Sequence, residues 1–173
     1  LESCERFMIL ETSRLVSIVA SRPRKFKIGA YLIMRELKTD YSHVSWIFWN
    51  TDRTRPRYYE AIMRGGVTFT GVRHWEGRNL TVFRKDFEIN ELNYEILLDK
   101  AMDKCGEEYG FLQNLGIKLN KIFSFGKNIF SDSQDKSNCS ELIFDFKDFV
   151  GLEISGDPDL ITPKDIIENL RGK

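Results

Sequence analysis

The stretch Asn138-Cys139-Ser140-Glu141 places a thiol where a protein can activate it. Asn is a favoured helix N-cap, and Glu three residues later completes a capping-box pattern. Cys139 therefore falls in the first turn of a helix, where the dipole and the unpaired amides favour thiolate over thiol. The amides of Cys139 and Ser140 are also the candidates to receive the oxyanion of an acyl-transfer intermediate. The competing reading is a buried structural cysteine, a common fate for this residue type.

A thiol nucleophile needs a base, and the chain holds two histidines, His43 and His74. His43 enters a strand-like segment, and His74 sits between Arg73 and Trp75 near a glycine turn. A lone strand histidine is more often structural, so register has to decide. With a turn centred on Thr51–Asp52, antiparallel pairing sets His43 directly opposite Glu60, on one face of the sheet. Glu60 would then orient the imidazole and complete a Cys–His–carboxylate set. A slip of one residue would turn the two side chains to opposite faces.

These residues need elements to hold them. Glu5–Ala20 reads as a helical lead-in, with Phe7, Leu10, Leu15, Ile18 and Val19 near helical spacing. Five strand-like segments follow, Gly29–Arg35, His43–Trp49, Arg57–Met63, Gly66–Trp75 and Asn79–Arg84, separated by turn residues and read as an antiparallel meander. Leu92–Tyr109 is a helix with Leu92, Ile96, Leu97, Ala101 and Cys105 on its apolar face. Phe111–Phe130 is apolar with interspersed lysines, Ser131–Ser137 a loop, Asn138–Phe149 a helix and Thr162–Leu170 a last helix with Pro163 at its first position. Strands before helices define an α+β domain.

With these pieces in order, the chain resembles the circularly permuted, NlpC-like branch of the papain-fold cysteine hydrolases, the YiiX-like group. The resemblance runs through Ile28-Gly29-Ala30-Tyr31-Leu32-Ile33, Ser42-His43-Val44, Tyr59-Glu60-Ala61 and Thr81-Val82-Phe83-Arg84. It continues in Tyr109-Gly110-Phe111-Leu112 with Leu115-Gly116, then Asn138-Cys139-Ser140-Glu141-Leu142 and Thr162-Pro163-Lys164-Asp165-Ile166. It implies Cys139 as nucleophile, His43 as base, Glu60 as the orienting group, and a papain-like fold whose nucleophile helix packs on the strand bearing the histidine. Two positions depart from it: Ala30 and Gly110 stand where the family often has Asp. The domain organisation it implies is a lead-in over residues 1–27 and one hydrolase domain over 28–173.

The substrate class implied is an amide bond of a peptide or cell-wall peptide stem. Lipid acyl transfer, as in the related lecithin retinol acyltransferase group, is the second reading, with Phe111–Phe130 as the lipid-facing part; that stretch reads first as a loop covering the core, and membrane or lipid contact is not the favoured expectation. A catalytically inert binding module is the third.

Composition bounds these readings. Twenty-six Lys plus Arg against 26 Asp plus Glu leave no net charge, which argues against non-specific nucleic-acid binding. With 42 % hydrophobic residues in 173, the chain has material for one well-packed domain. No apolar run reaches the roughly 18–20 residues of a membrane span, and charges through Leu1–Ala20 exclude a signal peptide in that stretch. The expectation is a cytoplasmic protein with reduced thiols, a leader ahead of Leu1 being left open. The histidines and three cysteines match no zinc spacing, and no phosphate-binding glycine loop is present, so neither metal nor cofactor is expected. Arg53, Arg55 and Arg57 read as a solvated hairpin face, Cys105 as core and Cys4 as incidental.

Overall fold

A computed structural model of the chain describes residues 13–63, 65–109 and 136–172. Its centre is a five-stranded antiparallel sheet: β1 (Ser13–Pro23), β2 (His43–Phe48), β3 (Arg57–Ile62), β4 (Gly66–Gly71) and β5 (Asn79–Asn90), in spatial order β4-β3-β2-β1-β5. Around it are α1 (Ile28–Leu37), α2 (Val72–Arg78), α3 (Glu91–Asp103), α4 (Cys139–Asp145) and α5 (Pro163–Leu170). A two-residue pair, β6 (Glu108–Tyr109) and β7 (Lys136–Ser137), joins in parallel beside β4.

The main core lies on one face of the sheet. Val16, Ile18 and Ala20 of β1, Val44, Trp46 and Phe48 of β2, and Tyr59 and Ala61 of β3 meet Leu97 and Ala101 of α3, Leu142 and Ile143 of α4, and Ile166, Ile167 and Leu170 of α5. The alternate positions Val19, Ile47 and Tyr58 form a smaller cluster on the other face under Trp75 of α2. There Tyr58 and Trp75 stack at 4.0 Å.

Three sequence expectations change here. Ser13–Pro23 belongs to the sheet and is not part of a helical lead-in. A strand covered on both faces is a near-continuous apolar run, and in Leu15–Ala20 such a run imitates helical spacing. Conversely Gly29–Arg35 lies in α1, not in a strand, so the fifth strand is β1. Trp75 closes no strand: Gly66–Trp75 divides into β4 and the start of α2.

The helix after β5 is shorter than Leu92–Tyr109 suggests, and it is rotated. Tyr94, Leu97 and Ala101 are buried while Leu92 and Ile96 are exposed. Asn90 caps it by accepting from the Asn93 amide at 2.7 Å. Cys105 falls beyond its end and is exposed rather than core. The helix from Asn138 holds to Asp145 and then tightens into a 3-10 turn, Lys147–Val150. Cys4, Gly110, Phe111–Phe130 and most of Ser131–Ser137 lie outside the described residues.

Candidate active site

Helix α4 begins where the capping pattern places it. Asn138 Oδ1 accepts from the Ser140 and Glu141 amides at 2.9 and 3.1 Å, and the Asn138 amide donates to Glu141 Oε2 at 2.8 Å. This fixes Cys139 in the first turn, buried. The helix packs on β2, where Trp46 Nε1 donates to the Leu142 carbonyl at 2.9 Å. The Ser140 amide, one of the two expected oxyanion donors, is engaged in the cap. The Cys139 amide takes no part in the cap, and Asn138 Nδ2 is buried without a hydrogen-bond partner among the described residues.

His43 is the first residue of β2. Val44 faces the helical core, so by strand alternation His43 leaves the opposite face, and at the strand's end its ring meets the thiol of α4. Glu60 shares that second face with Tyr58. The observed register pairs Trp46 with Tyr59 and Ile47 with Tyr58, two residues off the pairing expected for a Thr51–Asp52 turn. A two-residue offset keeps every side chain on its own face, and diagonal neighbours remain within reach of long side chains. His43 Nε2 and Glu60 Oε2 accordingly meet at 3.0 Å.

Glu60 is fully buried, and a buried carboxylate has to be paired. Arg78, at the end of α2, donates to Glu60 Oε1 at 2.6 Å, and the Thr70 hydroxyl of β4 also bonds it. Burial alone would raise the Glu60 pKa; the bonds and charges of His43, Thr70 and Arg78 outweigh it and hold the carboxyl below its ordinary value. With Nε2 on Glu60, Nδ1 is the ring nitrogen left to interact with the Cys139 thiol.

The electrostatics follow. Burial works against a charged imidazole, yet the bonds to Cys139 and Glu60 and their charges prevail and push the His43 pKa up to about 10. Burial likewise favours the neutral thiol at Cys139, but the His43 bond and charge, the Val44 backbone and the Ser140 hydroxyl bring its pKa below the ordinary value. The arrangement favours a thiolate–imidazolium pair (the state in which a cysteine attacks without a separate deprotonation step).

The other sequence candidates are elsewhere. His74 is exposed on α2. Arg53, Arg55 and Arg57 flank the β2–β3 turn, at the opposite end of β2 from His43, with Arg53 on Glu88 at 2.9 Å in the open. Thr162 caps α5 through its own box with Asp165, a structural role. Sequence reasoning missed Arg78 and Thr70. Arg78 lies in a segment whose helix was not expected, so no spacing argument connected it to Glu60.

No family model matches the chain, and no curated protein matches it. Among solved structures it is similar to the metalloprotein YiiX from Escherichia coli O157:H7, with a TM-score of 0.55 and 16 % identity, covering 91 % of this chain and 92 % of that one. At that identity the likeness establishes a YiiX-like α+β fold and nothing finer. Among the described residues here, no group of three or more His, Cys, Asp or Glu side chains is arranged to hold a metal ion. The described helices include none long and apolar enough to cross a membrane.

Proposed function

We propose that the protein is a cysteine hydrolase that cleaves an amide or ester bond through a thioester intermediate. The observation that carries this is the chain of contacts Cys139–His43–Glu60–Arg78, in which each member stabilises the charged form of the next. The Cys139 thiolate attacks the carbonyl carbon, forming a C–S bond. The oxyanion is received by the Cys139 amide, with Asn138 Nδ2 as the second available donor. Collapse breaks the bond to the leaving group, which takes its proton from His43. Water, deprotonated by the same imidazole, then splits the thioester and regenerates the thiol. Glu60 holds the ring tautomer, and Arg78 and Thr70 hold Glu60.

The papain-like, NlpC-like resemblance supports peptide or cell-wall peptide amides as the first substrates to try. The test is acylation by an activated p-nitrophenyl ester. We expect a burst of p-nitrophenolate stoichiometric with protein and a mass increment on Cys139, both absent from Cys139→Ala. An equal release from Cys139→Ala contradicts the assignment.

A further inference from the structure

The segment Arg22–Lys38 carries six basic residues, Arg22, Arg24, Lys25, Lys27, Arg35 and Lys38, against one acid, Glu36, in a chain with no net charge. All seven are exposed. Within the same segment lie four of the large apolar side chains that the fold leaves in water: Phe26 at 78 % exposure, Ile28 at 71 %, Tyr31 at 47 % and Leu32 at 41 %. Tyr31 and Leu32 lie three and four residues beyond Ile28 and so share one face of α1 with it, and Phe26 extends that face by contact with the Tyr31 ring at 5.8 Å. Leu37 is the only residue of α1 that is buried.

We propose that this face of α1 is a docking surface for an anionic membrane. An apolar helix face with basic residues at both ends is the pattern of a helix that lies in the headgroup layer, its side chains entering the acyl boundary while Lys and Arg meet lipid phosphates. Tyr and Phe suit that depth. Charge complementarity decides the occupant. A second copy of the chain would set this positive segment against itself, since a twofold interface pairs a patch with its own image.

The position gives the docking a consequence. α1 connects the end of β1 to the start of β2, where Ser21 pairs with His43, and the Arg24 amide bonds the Arg78 carbonyl at 2.9 Å. The face and the Cys139–His43–Glu60 site thus stand at the same end of the sheet.

The test is co-sedimentation with vesicles of phosphatidylcholine containing phosphatidylserine, compared with phosphatidylcholine alone. We expect binding to the anionic vesicles only, weakened by salt and reduced by about fivefold for each basic residue removed near the surface. Lys25→Glu with Lys27→Glu should abolish it, and so should Phe26→Glu with Ile28→Glu, while thermal melting and Cys139 alkylation stay at wild-type values. Cys139→Ala should bind as the wild type does, which separates this inference from the hydrolase reading. Equal partition onto neutral vesicles, no binding to either kind, or unchanged binding by both variants overturns it. A dimer by light scattering that the Phe26 variant dissolves, without vesicle binding, overturns it in favour of self-association.

Discussion

Arg78 and His43 hold opposite oxygens of one buried carboxylate: Arg78 Nη2 bonds Glu60 Oε1 at 2.6 Å, and His43 Nε2 meets Oε2 at 3.0 Å. The neighbouring strands β2 and β3 and the later helix α2 thereby converge on Glu60. The carboxylate is stabilised from both sides, and its charge in turn supports the imidazolium next to Cys139.

Removing Arg78 should therefore act at a distance. In Arg78→Met the buried Glu60 oxygen loses its partner, at a cost of about 1–3 kcal/mol in urea unfolding. The Glu60 pKa should rise, and the pH at which Cys139 becomes reactive should rise with it. A variant of wild-type stability and reactivity would show that Arg78 is dispensable to the site.

Glu60→Gln keeps a group of the same shape on His43 and removes the charge. The imidazolium loses support, so the thiolate fraction at pH 6 should fall by roughly tenfold, equivalent to about one pKa unit. The check is the rate of Cys139 alkylation against pH, with circular dichroism confirming the fold.

Asn138→Ser separates capping from catalysis. Serine is itself a good N-cap, so stability should change little. Loss of Nδ2 should lower the acylation rate by roughly 10²–10³ if that amide receives the oxyanion. Alkylation of Cys139 builds no oxyanion and should proceed at the wild-type rate. An unchanged acylation rate assigns the second donor elsewhere.

The ion pair also sets the pH dependence of stability. His43 has its folded pKa raised from the usual 6.5 to about 10, so its contribution is complete below pH 6.5 and fades as pH rises to about 10. Glu60, lowered from 4.5, contributes above that value and loses its contribution as pH falls through its folded pKa. Cys139, lowered from 9.0, contributes in the opposite sense, so urea midpoints of wild type and His43→Ala should differ most between about pH 6.5 and 9 and draw together as pH falls to 5 and as it rises towards 10. A constant difference across that range would contradict the raised pKa.

The parts of this account legible in the sequence are those fixed by local rules. The Asn138–Glu141 box is complete within four residues, so the start of α4 and the position of Cys139 could be read directly. The Thr162–Asp165 box at α5 was legible for the same reason. The His43–Glu60 contact was legible because strand alternation tolerates an even register error; the turn was misplaced, yet the shared face survived. What failed depends on covering layers. β1 is buried on both faces and lost its two-residue period, while α1 has an apolar run that serves a strand or a helix equally well. Arg78 reaches Glu60 only because α2 turns the chain across the second face of the sheet, which no pattern along the chain encodes.

The central claim is that Cys139 is held as a thiolate by His43. Iodoacetamide alkylation from pH 4 to 9, mapped by mass spectrometry, measures it against an internal reference, because reduced solvation raises the Cys105 pKa. The account predicts that Cys139 reacts well below the roughly 8.5 of a free thiol, that Cys105 does not, and that His43→Ala moves the Cys139 profile upward toward it. A Cys139 that titrates with Cys105, or a profile indifferent to His43→Ala, would contradict the ion pair and the hydrolase built on it.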